Sequence, residues 1–196
     1  VSRRSSVYAR NVVAASQPLA AQAGVQILRN GGNAVDAAIA TAITLTVVEP
    51  TMNGIGSDAF VIVSDDHGIH GFNGSGRSPA AWTPERFAGH DNMPEHGWDT
   101  VTVPGAVDTW VQLSDRFGQL PFEKLFDSAI NYAAQGFAVS PVIAAGWARA
   151  AEEFGYLEGF RTIFMPNGRA PTAGEAFQSE AMANTLGEIA DSRGES

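Results

Sequence analysis

The 196-residue chain contains no cysteine, which excludes disulfides and thiolate chemistry and leaves its compartment open. Positive charge is scarce: 12 Lys and Arg stand against 21 Asp and Glu, a net charge of −9, so a phosphate backbone is repelled overall. Arg3, Arg4, Arg10 and Arg29 all precede the first acid, Asp36, but are too sparse for a nucleic-acid arm and read as a solvated start. No apolar run is long enough for a bilayer. The longest, Ala34 to Val48, is interrupted by Asp36, Thr41, Thr44 and Thr46. No basic-then-apolar leader opens the chain, and no repeat or low-complexity segment occurs. These absences exclude nucleic acid and membrane as partners and predict a soluble globular protein, cytoplasmic or exported.

The 44% hydrophobic fraction is enough for a core. Length and composition predict one domain over residues 1–190 and a polar tail over 191–196. Val12 to Ala15 reads as a short strand. Ser16 is positioned to cap a helix with Pro18 in its first turn, and Leu19, Ala23 and Ile27 recur at helical spacing. Gly31-Gly32 stops that helix, with a positive φ expected at Gly32. Asn33 caps the next, with Asp36 three residues on as in a capping box. From Ala34 to Val48 that helix has no polar face, so it must be covered on every side.

Ala59 to Val63 and Ile69 to Phe72, joined across Asp65-Asp66-His67-Gly68, predict a β-hairpin. Arg77 to Asp99 reads as loop and Val101 to Val103 as a short strand. Helices are expected over Ala106–Phe117, Phe122–Gln135 and Val142–Phe154, then a turn-rich connection over Met165–Gly174. A last helix capped by Ser179 is expected to end near Ala190.

Gly54-x-Gly56-x-x-Ala59 matches a dinucleotide fingerprint only superficially. That motif needs strand, loop, helix; here the order is helix, loop, strand, so it reads as a tight turn with a close backbone approach. Asp58 reads as a brace for this loop rather than an acid or base. His67, His70, His90 and His96 lack metal-ligand spacing and read as solvated turn and loop residues, and Asp65-Asp66 as turn formers. No metal or cofactor is implied. Gly74-Ser75-Gly76 is the nearest approach to a Gly-x-Ser-x-Gly elbow and reads as a flexible loop.

Gly31-Gly32-Asn33-Ala34-Val35-Asp36-Ala37-Ala38, Val47-Val48-Glu49-Pro50 and Gly54-Ile55-Gly56-Ser57-Asp58-Ala59-Phe60 resemble the N-terminal half of the gamma-glutamyltranspeptidase family. Ser16-Gln17-Pro18-Leu19-Ala20 resembles its Ser-His-Pro-Leu-Ala, with Gln17 in the histidine's place. Val103-Pro104-Gly105-Ala106-Val107, Phe117-Gly118-Gln119-Leu120-Pro121, Gln135-Gly136-Phe137-Ala138-Val139-Ser140 and Phe164-Met165-Pro166-Asn167-Gly168-Arg169 through Gly174-Glu175 follow in the family's order, so the resemblance covers nearly the whole chain.

The resemblance implies an α+β fold: the helix-rich N-terminal portion of an αββα N-terminal-nucleophile (Ntn) hydrolase sandwich, with a short hairpin and few strands. Residues 1–190 would then be a partial domain. It further implies a precursor that cuts itself, exposing a threonine that serves as nucleophile and, through its own amine, as base. That threonine lies in a Thr-Thr-His-x-Ser setting. Here His67, His70, His90 and His96 follow Asp66, Ile69, Gly89 and Glu95, so no catalytic residue is expected in this chain. The expected partners are the rest of the precursor, including the small catalytic subunit, and a small-molecule gamma-glutamyl or acyl-amide substrate.

Transpeptidases proper read Arg-Glu-x-Ala-Pro after the hairpin, and that arginine clamps the substrate's α-carboxylate. Here Asn73-Gly74-Ser75-Gly76-Arg77-Ser78-Pro79 puts Ser75 in the arginine's place and Arg77 two residues before the proline. This change, and Ser57-Asp58-Ala59 in place of further glycines, look like the acylase-like branch, which resembles cephalosporin acylases. Arg77 and Ser75 are therefore the expected substrate-binding residues. The alternatives are a cephalosporin-acylase-like amide hydrolase and a non-catalytic scaffold or binding module. A lone N-terminal portion would leave an apolar face of the Ala34–Val48 helix uncovered and favour self-association.

Overall fold

The structure, a computed structural model, describes residues 6–195; Arg3 and Arg4 of the basic start and Ser196 of the polar tail lie outside the described residues. Helix α1 spans Pro18–Arg29. Its cap is Gln17, not Ser16: the Gln17 Oε1 accepts from the Leu19 and Ala20 N–H groups. Ser16 is drawn elsewhere, its hydroxyl donating to Oε2 of the buried Glu49. The positive φ at the helix stop falls on Gly31 (92°) rather than Gly32. Gly32 provides room instead, since a Cβ there would lie 2.6 Å from Ile27 Cγ2 and 2.9 Å from Leu120 Cδ1.

Helix α2, Ala34–Val48, has the full capping box: Asn33 Oδ1 accepts from Val35 and Asp36 N–H, and Asp36 Oδ2 from the Asn33 N–H at 2.9 Å. The Thr41, Thr44 and Thr46 hydroxyls donate, each at 2.7 Å, to the carbonyls of Ala37, Ala40 and Ile43. Those threonines thereby satisfy their polar groups within the helix, so it can run through an apolar core.

Around α2 pack α1, α3 (Ala106–Phe117), a 3₁₀ turn over Phe122–Leu125 and α4 (Asp127–Gln135). Phe122–Gln135 was expected as one helix. It splits because i→i+3 bonds at Lys124 and Phe126 carry Phe122, Leu125 and Phe126 all into the core. Enclosure of α2 is incomplete: Ala34 and Ala38 are exposed, and Val35, Ala42 and Leu45 are half-buried.

Strands β1 (Ala59–Asp65) and β2 (Gly68–Gly74) form the hairpin, paired from Ala59↔Gly74 to Asp65↔Gly68. Ala59, Val61, Val63 and Phe72 pack on the core. On the opposite face Phe60, Ile62 and Ile69 are 67%, 79% and 77% exposed. His70 is not a solvated turn residue. A guanidinium can only donate, so Arg116 Nη2 donates to His70 Nδ1 at 3.0 Å, which leaves His70 Nε2–H to donate to Asp65 Oδ1 at 3.2 Å. The ring also lies 5.2 Å from that of Phe117. His96 is likewise engaged, 3.1 Å from Glu153 and packed on Phe154.

Two expected strands do not form. Val12–Ala15 has no ladder partner among the described residues, and Val101–Val103 makes a single ladder-like bond, Val103 N–H to the Arg77 carbonyl, before Pro104 removes the next donor. The last portion adds β3 (Phe137–Ala138), α5 (Pro141–Phe154), α6 (Glu158–Phe164), β4 (Ala176–Phe177) and α7 (Glu180–Ser192). β3 pairs antiparallel with β4, and Trp147 of α5 packs against Phe164 and Phe177. No described helix is long and apolar enough to cross a membrane.

Asp36 is fully buried, and its carboxylate also accepts from the Gln119 and Leu120 N–H groups at 3.1 and 3.2 Å. Asp36→Ala would leave three backbone N–H groups, of Asn33, Gln119 and Leu120, without their buried acceptor, so a loss of about 3 kcal/mol is expected. A urea midpoint equal to that of the unaltered chain would refute this role.

Candidate functional site

Three stretches remote in sequence meet at the N-terminus of α3. The Ser57 carbonyl accepts from Gly105 and Ala106 N–H at 3.1 and 3.0 Å, the Arg77 carbonyl from Val103 N–H at 2.9 Å, and the Ser75 carbonyl from the Thr102 hydroxyl at 3.3 Å. Gly74-Ser75-Gly76 is therefore clamped rather than flexible. Gly76 has φ 74°, and a Cβ there would collide with the Val103 carbonyl; one on Gly74 would collide with the Thr109 hydroxyl. Backbone passes so close to backbone that only glycine fits at these two points.

The clamp presents both expected substrate-binding side chains. Ser75 is half-buried, its N–H donates to Asn73 Oδ1 at 3.1 Å, and its hydroxyl has no hydrogen-bond partner among the described residues. Arg77 is exposed, and its guanidinium makes no hydrogen bond or ion pair among the described residues. A free guanidinium on a fixed loop can bind a carboxylate through two parallel N–H donors.

The Gly54–Ser57 turn closes as a tight turn, with Ser57 Oγ donating to the Gly54 carbonyl at 2.6 Å. The expected close approach is missing, since no atom lies within 4 Å of where a Gly54 or Gly56 Cβ would be. Ser57, not Asp58, braces this loop; the Asp58 carboxylate has no partner among the described residues. Beside the loop a groove of about 230 Å³ runs between β1 and α2, lined by Ala38, Ala42, Asp58, Phe60, Ala106 and Trp110. Among the described residues no three of His, Asp and Glu converge where they could hold a metal ion.

A second cavity, about 340 Å³, is lined by Arg169 and Glu175. Its charges are already spent on each other. Arg169 Nη1 and Nη2 donate to Glu175 Oε2 and Oε1 at 2.9 and 3.3 Å, and the Thr172 N–H and hydroxyl both donate to Oε2. The Arg169 hydrogen bonds, then the Thr172 N–H, pull the Glu175 carboxyl from 4.5 down to about 2. This is a buckle closing the 166–175 loop. Sequence reading passed over Glu175 because its partners are defined by the loop's shape. Thr102, likewise missed, carries no sequence signal at all.

A model of the family described as gamma-glutamyltranspeptidase matches residues 20–196. The chain is 35% identical over 96% of its length to the glutathione hydrolase-like YwrD proenzyme of Bacillus subtilis. It is 35% identical over 93% of its length to the oxamate amidohydrolase proenzyme of Klebsiella pneumoniae. It spans 36% of the length of each of these relatives. Among solved structures, cephalosporin acylase from Bacillus halodurans superposes with a TM-score of 0.87 at 44% identity, covering 98% of this chain and 39% of that one. Helicobacter pylori gamma-glutamyltranspeptidase gives 0.88 at 26% identity, covering 97% and 56%.

The Glu175 buckle makes stability depend on acid. Its folded pKa lies below the unfolded one, so the stabilisation is complete above about pH 4.5 and is lost as pH falls toward 2. The stability gap between the unaltered chain and Glu175→Gln is therefore expected to be widest above pH 4.5 and to close toward pH 2. Thermal midpoints with a constant gap across that window would rule the buckle out.

Proposed function

The chain belongs to the gamma-glutamyltranspeptidase family, and on that premise we propose that it is the N-terminal part of the large subunit of an Ntn hydrolase or acyltransferase. The relatives are proenzymes of which it spans about a third, which supports a longer precursor that supplies the nucleophilic threonine. The substrate is a gamma-glutamyl amide or a related acyl amide carrying a carboxylate. The observation that carries this reading is the Arg77 guanidinium, unpaired among the described residues, on a loop held by the Thr102 hydroxyl and the Val103 N–H.

In this reading Arg77 holds the substrate carboxylate, and the free Ser75 hydroxyl hydrogen-bonds beside it. Neither takes part in bond cleavage. A nucleophile outside this chain attacks the amide carbonyl, its own amine taking the proton. Recognition of this kind fixes the scissile carbonyl in place before attack, so its loss is read mainly in KM. The 44% identity to a cephalosporin acylase and the Ser75/Arg77 arrangement favour the acylase-like branch over glutamyl transfer proper. Self-association of the chain alone would follow from the uncovered ridge on α2.

In the complete protein, Arg77→Ala is expected to raise KM about tenfold or more for carboxylate-bearing acyl anilides, with kcat little changed. Anilides lacking the carboxylate should be hydrolysed equally by both forms. An unchanged KM for gamma-glutamyl-p-nitroanilide and for carboxylate-bearing acyl anilides would remove Arg77 from the site. The 196-residue chain by itself is expected to release no p-nitroaniline; saturable release would show that it carries a nucleophile of its own.

A further inference from the structure

Four asparagines of the chain are followed by glycine: Asn30, Asn53, Asn73 and Asn167. This dipeptide is chemically labile, because a glycine nitrogen unhindered by a Cβ can attack the preceding side-chain amide. Attack needs two freedoms: a glycine N–H not held in a hydrogen bond, and an asparagine amide not held by a partner. The fold removes at least one of them at three of the four positions. The Gly31 N–H donates to the Leu28 carbonyl at 3.4 Å, and Asn30 Oδ1 accepts from Gln26 Nε2 at 2.9 Å. The Gly168 N–H donates to the Met165 carbonyl at 2.8 Å. Asn73 Oδ1 accepts from the Ser75 N–H at 3.1 Å, and Gly74 is fixed in β2, paired with Ala59 and pressed against Thr109.

Asn53–Gly54 keeps both freedoms. The Asn53 N–H donates to the Glu49 carbonyl at 3.1 Å, just past α2, but its side-chain amide makes no hydrogen bond among the described residues. The Gly54 N–H is likewise without an acceptor among the described residues. No atom lies within 4 Å of where a Gly54 Cβ would be, so this peptide has room to turn. Asn53 is half-buried and lines the groove of about 230 Å³ beside β1, where water reaches it.

We propose that Asn53–Gly54 is a self-modification site. The Gly54 nitrogen gives up its proton to hydroxide and bonds to Asn53 Cγ. The Cγ–Nδ2 bond breaks, ammonia leaves with a proton taken from water, and a succinimide ring is closed. Water then opens the ring at either carbonyl, giving aspartate or isoaspartate at position 53. Either product puts a carboxylate just past the C-terminal end of α2, where the helix carbonyls disfavour it. Isoaspartate also routes the main chain through the side-chain carbon, adding one methylene ahead of Gly54. The Gly54 carbonyl accepts from the Ser57 N–H and hydroxyl at 3.2 and 2.6 Å, and the Ser57 carbonyl holds Gly105 and Ala106. The change therefore enters the clamp beneath the candidate site. The inference stands on the geometry of this junction and not on the proposed activity.

The test incubates the complete protein, folded, in mildly alkaline buffer made with heavy-oxygen water and follows each Asn-Gly peptide by mass spectrometry. Asn53 is expected to convert about tenfold or more faster than Asn30, Asn73 and Asn167, with isoaspartate as the larger product. Gly54→Ala, for which the fold has room, is expected to slow conversion at position 53 by about the same factor. Conversion of any of the other three as fast as Asn53 would overturn the proposal, because the dipeptide alone and not the fold would then set the rate. An Asn53 that stays intact in the folded protein would overturn it too, whatever happens to the chain in urea. Conversion that gives aspartate alone and is indifferent to Gly54→Ala would mean direct hydrolysis, and the succinimide route falls. None of these readouts needs turnover, so a protein inactive on every amide tests the site equally well.

Discussion

A carboxylate buried without a cation holds this structure together. Asp36 is sealed from water and balanced only by backbone N–H groups, one from the start of its own helix and two from the turn after α3. Asn33 works beside it: one end of its amide caps α2, while Nδ2 donates to the Phe117 carbonyl at 2.6 Å. A single capping box thus does two things, starting α2 and bolting the C-terminal end of α3 to it. Hydrogen bonds to a charged acceptor are the stronger kind, and leaving them unmade in the interior is costly. The geometry here is therefore specified tightly by two side chains.

The other end of α3 carries that constraint to the candidate site. Gly105 and Ala106 at its N-terminus hold the Ser57 carbonyl, Thr109 presses against Gly74, and Val103 just ahead of the helix holds Arg77 by its carbonyl. Once α3 is bolted at Phe117, the loop bearing Ser75 and Arg77 has little freedom left. Side chains on such a loop can change without refolding the frame beneath them, the usual division between a rigid scaffold and a variable recognition surface.

Much of this was readable in order along the chain, and the boundary between what was and was not readable is physical. Helices α1, α2, α3, α5 and α7 announce themselves through caps, spacing and stops, all local signals. The hairpin does so through runs of β-formers on either side of the Asp65-Asp66-His67-Gly68 turn signal. Gln17 displacing Ser16 as a cap was not readable, because it turns on Glu49, which lies 33 residues away from Ser16. Nor was α6, a helix of 7 residues with no fully buried side chain and so no stripe to find. β3 and β4, two residues each, are too short for any period. At the site, Ser75 and Arg77 were named from family resemblance, whereas the close passage of Gly74 and Gly76 against Val103 and Thr109 is a nonlocal fact that no window of sequence contains.

Residues 12–15 show the same boundary from the other side. Val12 to Ala15 read as a short strand, and in the structure Val13 and Ala15 turn inward while Val12 and Ala14 stay exposed. What is missing among the described residues is a partner, and a strand is defined by its partner as much as by its own residues. The all-apolar α2 argues likewise: a helix without a polar face asks to be enclosed, and among the described residues this one leaves Ala34 and Ala38 exposed and Val35, Ala42 and Leu45 half-buried. Sequence and structure thus disagree with each other at the two places, strand and ridge, that face one another across a single groove. A local preference left unmet by the surrounding fold is ordinarily a sign of function or of an absent contact.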